Sequence, residues 1–300
     1  MAEISTKKYE SKLTIIHHDK ADLKLALEYT QKTTGFSMVL IEKDFYCSLL
    51  LEYFFNENDI SLVFKGGTCL NKVYLGFYRL SEDLDFSIPV EIKSSRSLKS
   101  AKIDPIKEMF LKLPKTLPYF DVIKPLRGAN NSTQYLAELA YQSVTSQETG
   151  RIKIEIGLRE PLLKPFINAS GYTLLLNPFT LKNAVLPVQI NCLSKEEALA
   201  EKCRAALCRI EPAIRDFFDV WYAYHQNLLP LSDQNFLDLV KRKIAIPGNA
   251  VSEITGARIE DLKRQVTTEL RPVLLPRIFE SYDFNSSLEL VKQLREMIRV

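Results

Sequence analysis

From Leu62 to Ile88 the chain reads LVFKGGTCLNKVYLGFYRLSEDLDFSI. A short apolar run ends in a glycine pair, Gly66-Gly67, and Asp83 and Asp85 follow at a spacing of two. Side chains alternate across a β-strand, so both aspartates take one face while Leu84, Phe86 and Ile88 take the other. Two carboxylates side by side repel unless a cation or a base stands between them. The pattern asks for a metal ion. It also predicts a local order: a strand over Leu62–Phe64, a tight turn at the glycines, a helix capped by Thr68 and running through Phe77, then a strand from Leu84 to Val90 ended by Pro89.

A second alternating run, RIKIEIG from Arg151 to Gly157, sets Ile152, Ile154 and Ile156 on one face and Lys153 and Glu155 on the other. If that strand lies beside the aspartate strand with the same face open, Glu155 is a third carboxylate in the same place; otherwise it is a solvated acid. Before the quoted stretch the chain reads as helix. Asp22 to Tyr29 is amphipathic, and Lys43 to Phe55 is apolar on nearly every side and so expected to be buried. The stretch Lys93–Lys102 fits a loop or the start of a basic helix.

From Ser194 the pattern is helical again. Ser194 with Glu197 predicts a capping box, ahead of an apolar stripe at Leu199, Cys203, Ala206 and Ile210, with Lys202 and Arg209 on an adjoining face. Pro212 predicts the first turn of another helix, with Phe217, Val220, Trp221 and Tyr224 as its core stripe and Asp216 and Asp219 on the opposite side. The rest reads as helices broken near Pro247-Gly248, Pro272 and Pro276.

The composition, 46% hydrophobic and 26% charged over 300 residues, excludes disordered and fibrous classes and allows one large domain or two ordinary ones. A net charge of +3 does not by itself indicate a nucleic-acid partner. Yet Glu91 to Arg127 holds nine Lys/Arg against four acids, an excess able to steer a polyanion or simply to solvate a surface. No apolar run is long enough for a membrane helix, and the first residues lack the apolar block of a signal peptide, so a cytoplasmic chain is expected. The five cysteines are scattered with no CxxC pair, against a disulfide framework or a zinc site. His17, His18 and His225 are too few and too isolated for a histidine metal centre.

The ordered pieces KGGTCLNKVY and YRLSEDLDFSI resemble the first motif of the DNA-polymerase-β-like nucleotidyltransferases, and GGT-x-L with R-x-S-x-DLDF resembles the AbiEii/AbiGii toxin family of type IV toxin–antitoxin and phage-abortive systems. IEKDFYCSLLL (Ile41–Leu51) is similar to that family's N-terminal helix and RIKIEIGLRE to its third-acid strand. EKCRAALCR and RDFFDVW are similar to its K-x-x-A-x-x-x-R and R/K-D-x-x-D motifs. The resemblance implies an α+β fold: a small mixed β-sheet nucleotidyltransferase core flanked by helices over 1–190, with a helical lead-in over 1–60, and a C-terminal α-helical domain over 191–300.

It further implies Mg²⁺, with Mn²⁺ as an alternative, and an NTP as substrate. Asp83, Asp85 and Glu155 would ligate the metal, with Glu155 able to act as base. Gly66, Gly67, Thr68 and Lys72 would hold the nucleotide, and Arg79 and Ser81 would brace the aspartate strand or touch phosphate. Lys202 would contact the triphosphate, and Asp219 with Asp216 would complete the pocket. The implied acceptor is the 3′ end of tRNA and the implied partner a cognate antitoxin. Two departures are Thr68 where the superfamily has serine, and Glu155 where it commonly has aspartate. A nucleotide- or partner-binding module without turnover, or a transferase acting on small molecules, are the competing expectations.

Overall fold

Residues 20–56, 61–91 and 93–299 are described in a computed structural model of the chain; His17 and His18 lie outside them. Helix α1 (Lys20–Thr34) buries Leu23, Ala26, Leu27 and Thr30, a one-sided stripe at helical spacing. Helix α2 (Met38–Phe55) is buried almost all round, as its composition requires. Strand β1 (Val63–Lys65) runs into a short helix, α3 (Gly66–Cys69), that continues as a π-turn over Leu70–Tyr74. Thr68 does not cap a helix here. Its hydroxyl instead donates to the Asp83 carbonyl at 2.5 Å, tying the glycine turn to the acid strand.

Strand β2 (Leu84–Ser87) is followed by helix α4 (Arg96–Thr116), which starts at a Ser95 cap within the stretch that reads as loop or basic helix. Next come β3 (Phe120–Ala129), β4 (Gln134–Gln142), β5 (Thr149–Gly157), β6 (Ile167–Gly171) and β7 (Val188–Cys192). They form one seven-stranded mixed sheet in the order β3-β4-β5-β2-β1-β7-β6.

One face of this sheet is covered by helices. Phe54 of α2 meets Phe86 of β2 and Phe110 of α4 at centroid distances of 5.7 and 5.4 Å, and Tyr46 stacks on Tyr141 of β4 at 3.9 Å. Each buried aromatic of this kind contributes about 1.5–3 kcal/mol. Because alternation sends Phe86 into that core, Asp85 is turned to the other face.

The acids inside α2 are satisfied. Glu42 accepts from the Val144 amide and the Ser143 and Thr145 hydroxyls. Asp44 lies 2.6 Å from the Lys72 ammonium and accepts from the Leu174 amide.

The described residues divide into two units. The first holds those up to Pro161 and Phe166–Cys192; the second holds Leu162–Pro165 and those from Leu193 onward. The expected division at 190/191 assigns Leu162–Pro165 to the first. The reason lies at Glu197, whose carboxylate accepts from the Leu163 and Lys164 amides instead of closing the expected capping box. Only half of that box forms, with Ser194 accepting from the Glu197 amide at 3.3 Å.

The second unit is helical: α5 (Lys195–Cys208), α6 (Ile214–His225), α7 (Gln234–Ile244), α8 (Gly256–Gln265), α9 (Pro276–Ser281) and α10 (Phe284–Ile298). Pro212 precedes α6 and is not in its first turn. Tyr224 is exposed, whereas Phe217, Val220 and Trp221 are buried as the stripe predicts. Ile210, placed in the α5 stripe, lies beyond that helix and is exposed.

All five cysteines are free and buried. Burial pushes the Cys47 and Cys203 thiols up to about 12. Near pH 8 that leaves roughly one thiolate in ten thousand. Iodoacetamide at that pH is expected to leave both unmodified in the native chain and to label them only after denaturant is added. Native labelling within minutes, followed by peptide mass spectrometry, would contradict this packing.

Candidate active site

Strands β1, β2 and β5 bring the predicted acids together. β2 runs parallel to β5 with Asp85 directly beside Glu155, and antiparallel to β1 with Asp85 opposite Lys65. The conditional expectation for Glu155 is thus met in register. Asp83, Asp85 and Glu155 line one cleft of about 340 Å³, together with Lys124, Leu136, Glu138 and Lys153. All three acids are partly exposed, as groups that must meet a ligand have to be.

The glycine pair makes this placement feasible. Gly66 has φ +74°, a left-handed conformation that side chains disfavour, and a Cβ built there would sit 2.9 Å from Asp85 Cγ. The missing side chain is therefore the space the Asp85 carboxylate fills. A Cβ at Gly67 would lie 2.6 Å from Arg79 Nη2 and 3.0 Å from Ser81 Oγ. Arg79, itself buried, thus packs behind the glycine turn.

We expect Gly66→Ala to lower nucleotidyl transfer about a hundredfold by displacing Asp85, and to cost about 1–3 kcal/mol of stability through the strained φ. A transfer assay beside a urea melt checks both. Wild-type rates would mean that Asp85 need not sit where it does.

The donor set is chemically suited to a hard divalent cation. Asp85 and Glu155 on adjacent strands, with Asp83 just before β2, offer only oxygen ligands. Among the described residues, no group of three or more His, Cys, Asp or Glu side chains is gathered closely enough to hold a metal ion.

Lys72, expected among the nucleotide-binding residues, is placed elsewhere. Its ammonium is buried against Asp44 and also donates to Ser48 Oγ at 2.8 Å, so it anchors the turn after the glycine pair and does not face the cleft.

In the second unit, Lys202 lies 3.0 Å from Asp216 and 2.8 Å from Asp219, and Arg209 lies 2.7 Å from Asp216. Both aspartates, set by their spacing on the side opposite the core stripe, are nonetheless buried. Beneath them Lys243, buried, pairs with Glu197 at 2.7 Å and Glu201 at 3.4 Å.

A family model for the nucleotidyl transferase AbiEii toxin of type IV toxin–antitoxin systems matches residues 48–292. The chain belongs to the AbiEii family. As an AbiEii protein it is a nucleotidyltransferase of the toxin–antitoxin class. Solved structures similar to it include JHP933 from Helicobacter pylori, at 15% identity and TM-score 0.49, covering 88% of this chain and 93% of that one. A candidate nucleotidyltransferase of H. pylori also matches at 15% identity and TM-score 0.46, covering 86% and 93%. No curated protein matches the sequence. Among the described residues of this AbiEii chain, no helix is long and apolar enough to cross a membrane.

Residues missed by sequence reasoning are Lys65, directly across from Asp85, and Lys124 and Glu138 on the same cleft, while alternation sets Lys153 on the face of Glu155 without giving it a role. Hydrogen bonds from Lys124 and then Arg151 hold the Glu138 carboxyl below the usual carboxylate range. For Asp44 a signal did exist, since an acid in a helix that is apolar on all sides requires a buried partner.

Proposed function

We propose that this AbiEii protein transfers a nucleoside monophosphate from an NTP to the 3′-terminal hydroxyl of tRNA, with Mg²⁺ held by Asp83, Asp85 and Glu155. The observation that carries the reading is the parallel pairing of Asp85 with Glu155 beside the Gly66-Gly67 turn. Magnesium supplies positive charge that offsets the crowded carboxylates and the pyrophosphate as it leaves. The acceptor oxygen bonds to the α-phosphorus while the bond from that phosphorus to the bridging oxygen breaks, and pyrophosphate departs with the electron pair. Glu155 takes the acceptor proton. Gly66 and Gly67 hold the phosphates, and Thr68, its hydroxyl given to the Asp83 carbonyl, fixes the turn behind them. Lys202, set between Asp216 and Asp219, keeps the triphosphate role that the family resemblance gives it. A cognate antitoxin and a cytoplasmic location complete the reading.

Incubation with each labelled NTP, Mg²⁺ and total tRNA tests it. One preferred NTP should label tRNA, and periodate oxidation of the tRNA terminus beforehand should abolish the signal. Labelling that survives oxidation would move the acceptor site away from the 3′ end, and no labelling with any NTP by folded protein would overturn the reaction.

A further inference from the structure

The sheet face that carries Asp85 and Glu155 continues across β4 and β3, and its charge changes sign on the way. Alternation on β5 puts Arg151, Lys153 and Glu155 on this side. The antiparallel register sets Leu136 opposite Glu155 and Glu138 opposite Lys153. On β3, Lys124 stands opposite Glu138 and Arg127 opposite Leu136. Three acids at the β2 end therefore face four cations, Lys124, Arg127, Arg151 and Lys153, that have a single carboxylate among them.

That carboxylate is already occupied. Glu138 Oε1 accepts from Arg151 at 2.9 Å and Oε2 lies 2.5 Å from Lys124. Lys153, its direct neighbour across the ladder, forms no ion pair among the described residues, and neither does Arg127. Both are exposed, and Lys153 lines the cleft itself. Two uncompensated cations beside a buttressed ion-pair bridge form a surface prepared for an anion that arrives from outside.

We propose that this end of the face is a track for a single nucleic-acid strand, with Lys153 and Arg127 each taking a backbone phosphate. Along β5, Lys153 and Glu155 are two residues apart, about 7 Å. A phosphate seated on Lys153 thus leaves the sugar hydroxyl of the same nucleotide within reach of Glu155. The track selects an acceptor by its phosphates and its free end, without reading base edges.

Most of the basic residues between Glu91 and Arg127 take no part. Lys112 and Lys115 are exposed on α4, which packs on the helix-covered side of the sheet. On β3, Lys124 lines the cleft and Arg127 shares its side by register.

This inference rests on the proposed transfer for its purpose but not for its test. A short, fluorescently labelled single-stranded RNA is titrated with the full chain, without NTP, over a series of salt concentrations and read by anisotropy. Each lost phosphate contact should reduce the salt slope by roughly 0.7. Lys153→Gln and Arg127→Gln are each expected to show that reduction and several-fold weaker binding, Lys153→Glu a larger loss, and Lys115→Gln no change, with thermal melts unaltered throughout. Unchanged slopes in both track variants would overturn the track. So would an equal loss in Lys115→Gln, or an effect of Lys153→Gln confined to the KM for NTP. Track-dependent RNA binding by protein that transfers no nucleotide would uphold the track and remove the reaction. Full transfer with unaltered acceptor KM in Lys153→Gln would do the reverse.

Discussion

Replacing Asp85 or Asp83 by asparagine is expected to lower nucleotidyl transfer by at least about a hundredfold, close to 3 kcal/mol of transition-state stabilisation, while leaving the fold as stable as before or more so. The two halves of this result have one cause. Asp85 stands directly beside Glu155 in the parallel pair and shares the cleft with Asp83, so three carboxylates crowd one place. Asparagine keeps the volume and relieves the repulsion, but it removes the charge that recruits a divalent ion. Transfer assays at saturating NTP, paired with thermal melts with and without Mg²⁺, separate the effects. The wild type should gain stability on adding Mg²⁺ and the variants should gain less. Equal Mg²⁺-dependent stabilisation in wild type and Asp85→Asn would show that these acids do not hold the ion.

The second large effect concerns stability. Asp44→Ala removes the carboxylate 2.6 Å from the Lys72 ammonium, in a pair whose two side chains are each 1% exposed. It also strips acceptors from the Leu174 amide at 2.8 Å and the Thr173 hydroxyl at 3.2 Å. An orphaned buried cation of this kind costs about 3–5 kcal/mol. At about 2–4 °C per kcal/mol for a unit of this size, the melting temperature should drop by roughly 10 °C. Asp44→Leu combined with Lys72→Met should regain most of that loss, because no charge is then left buried. A single-variant loss below about 1 kcal/mol by urea unfolding would contradict the buried pair. Lys72 belongs to the turn that follows Gly66-Gly67, and its carbonyl accepts from the Tyr172 amide at 3.1 Å. Transfer should therefore weaken in Asp44→Ala even where the protein remains folded.

The elements legible in the sequence were those where one face is buried and the other carries chemistry. Strict alternation in Leu84–Ile88 and Arg151–Gly157 announced both acid strands, and the all-round apolar Lys43–Phe55 announced a buried helix. What spacing does not contain is which strand lies beside which, so the Asp85–Glu155 adjacency came only with the fold. The β3–β4 hairpin left no such trace. QYLAELAYQ is rich in good helix formers, and its strand state is imposed by the stack of Tyr141 on Tyr46 and the pairing with β5. Local signals also misled where a tertiary partner outbid a neighbour. Thr68 bonds to the Asp83 carbonyl in place of a helix end, and Glu197 bonds to the Leu163 and Lys164 amides in place of its own cap.

The outermost strand of the cleft carries a consequence for the unfolded and newly made chain. β3 spans ten residues at the margin of the sheet, long enough to recruit the margin of another molecule into a shared ladder. It is built to refuse that pairing. Its register with β4 shifts twice, between Val122 and Lys124 and again between Lys124 and Arg127, and Pro125 in the second interval has no amide hydrogen to offer. Its cations, Lys124 and Arg127, would also repel a second copy of the same edge. Neutralising these edge charges therefore risks aggregation, whatever it does to the proposed hold on an acceptor strand.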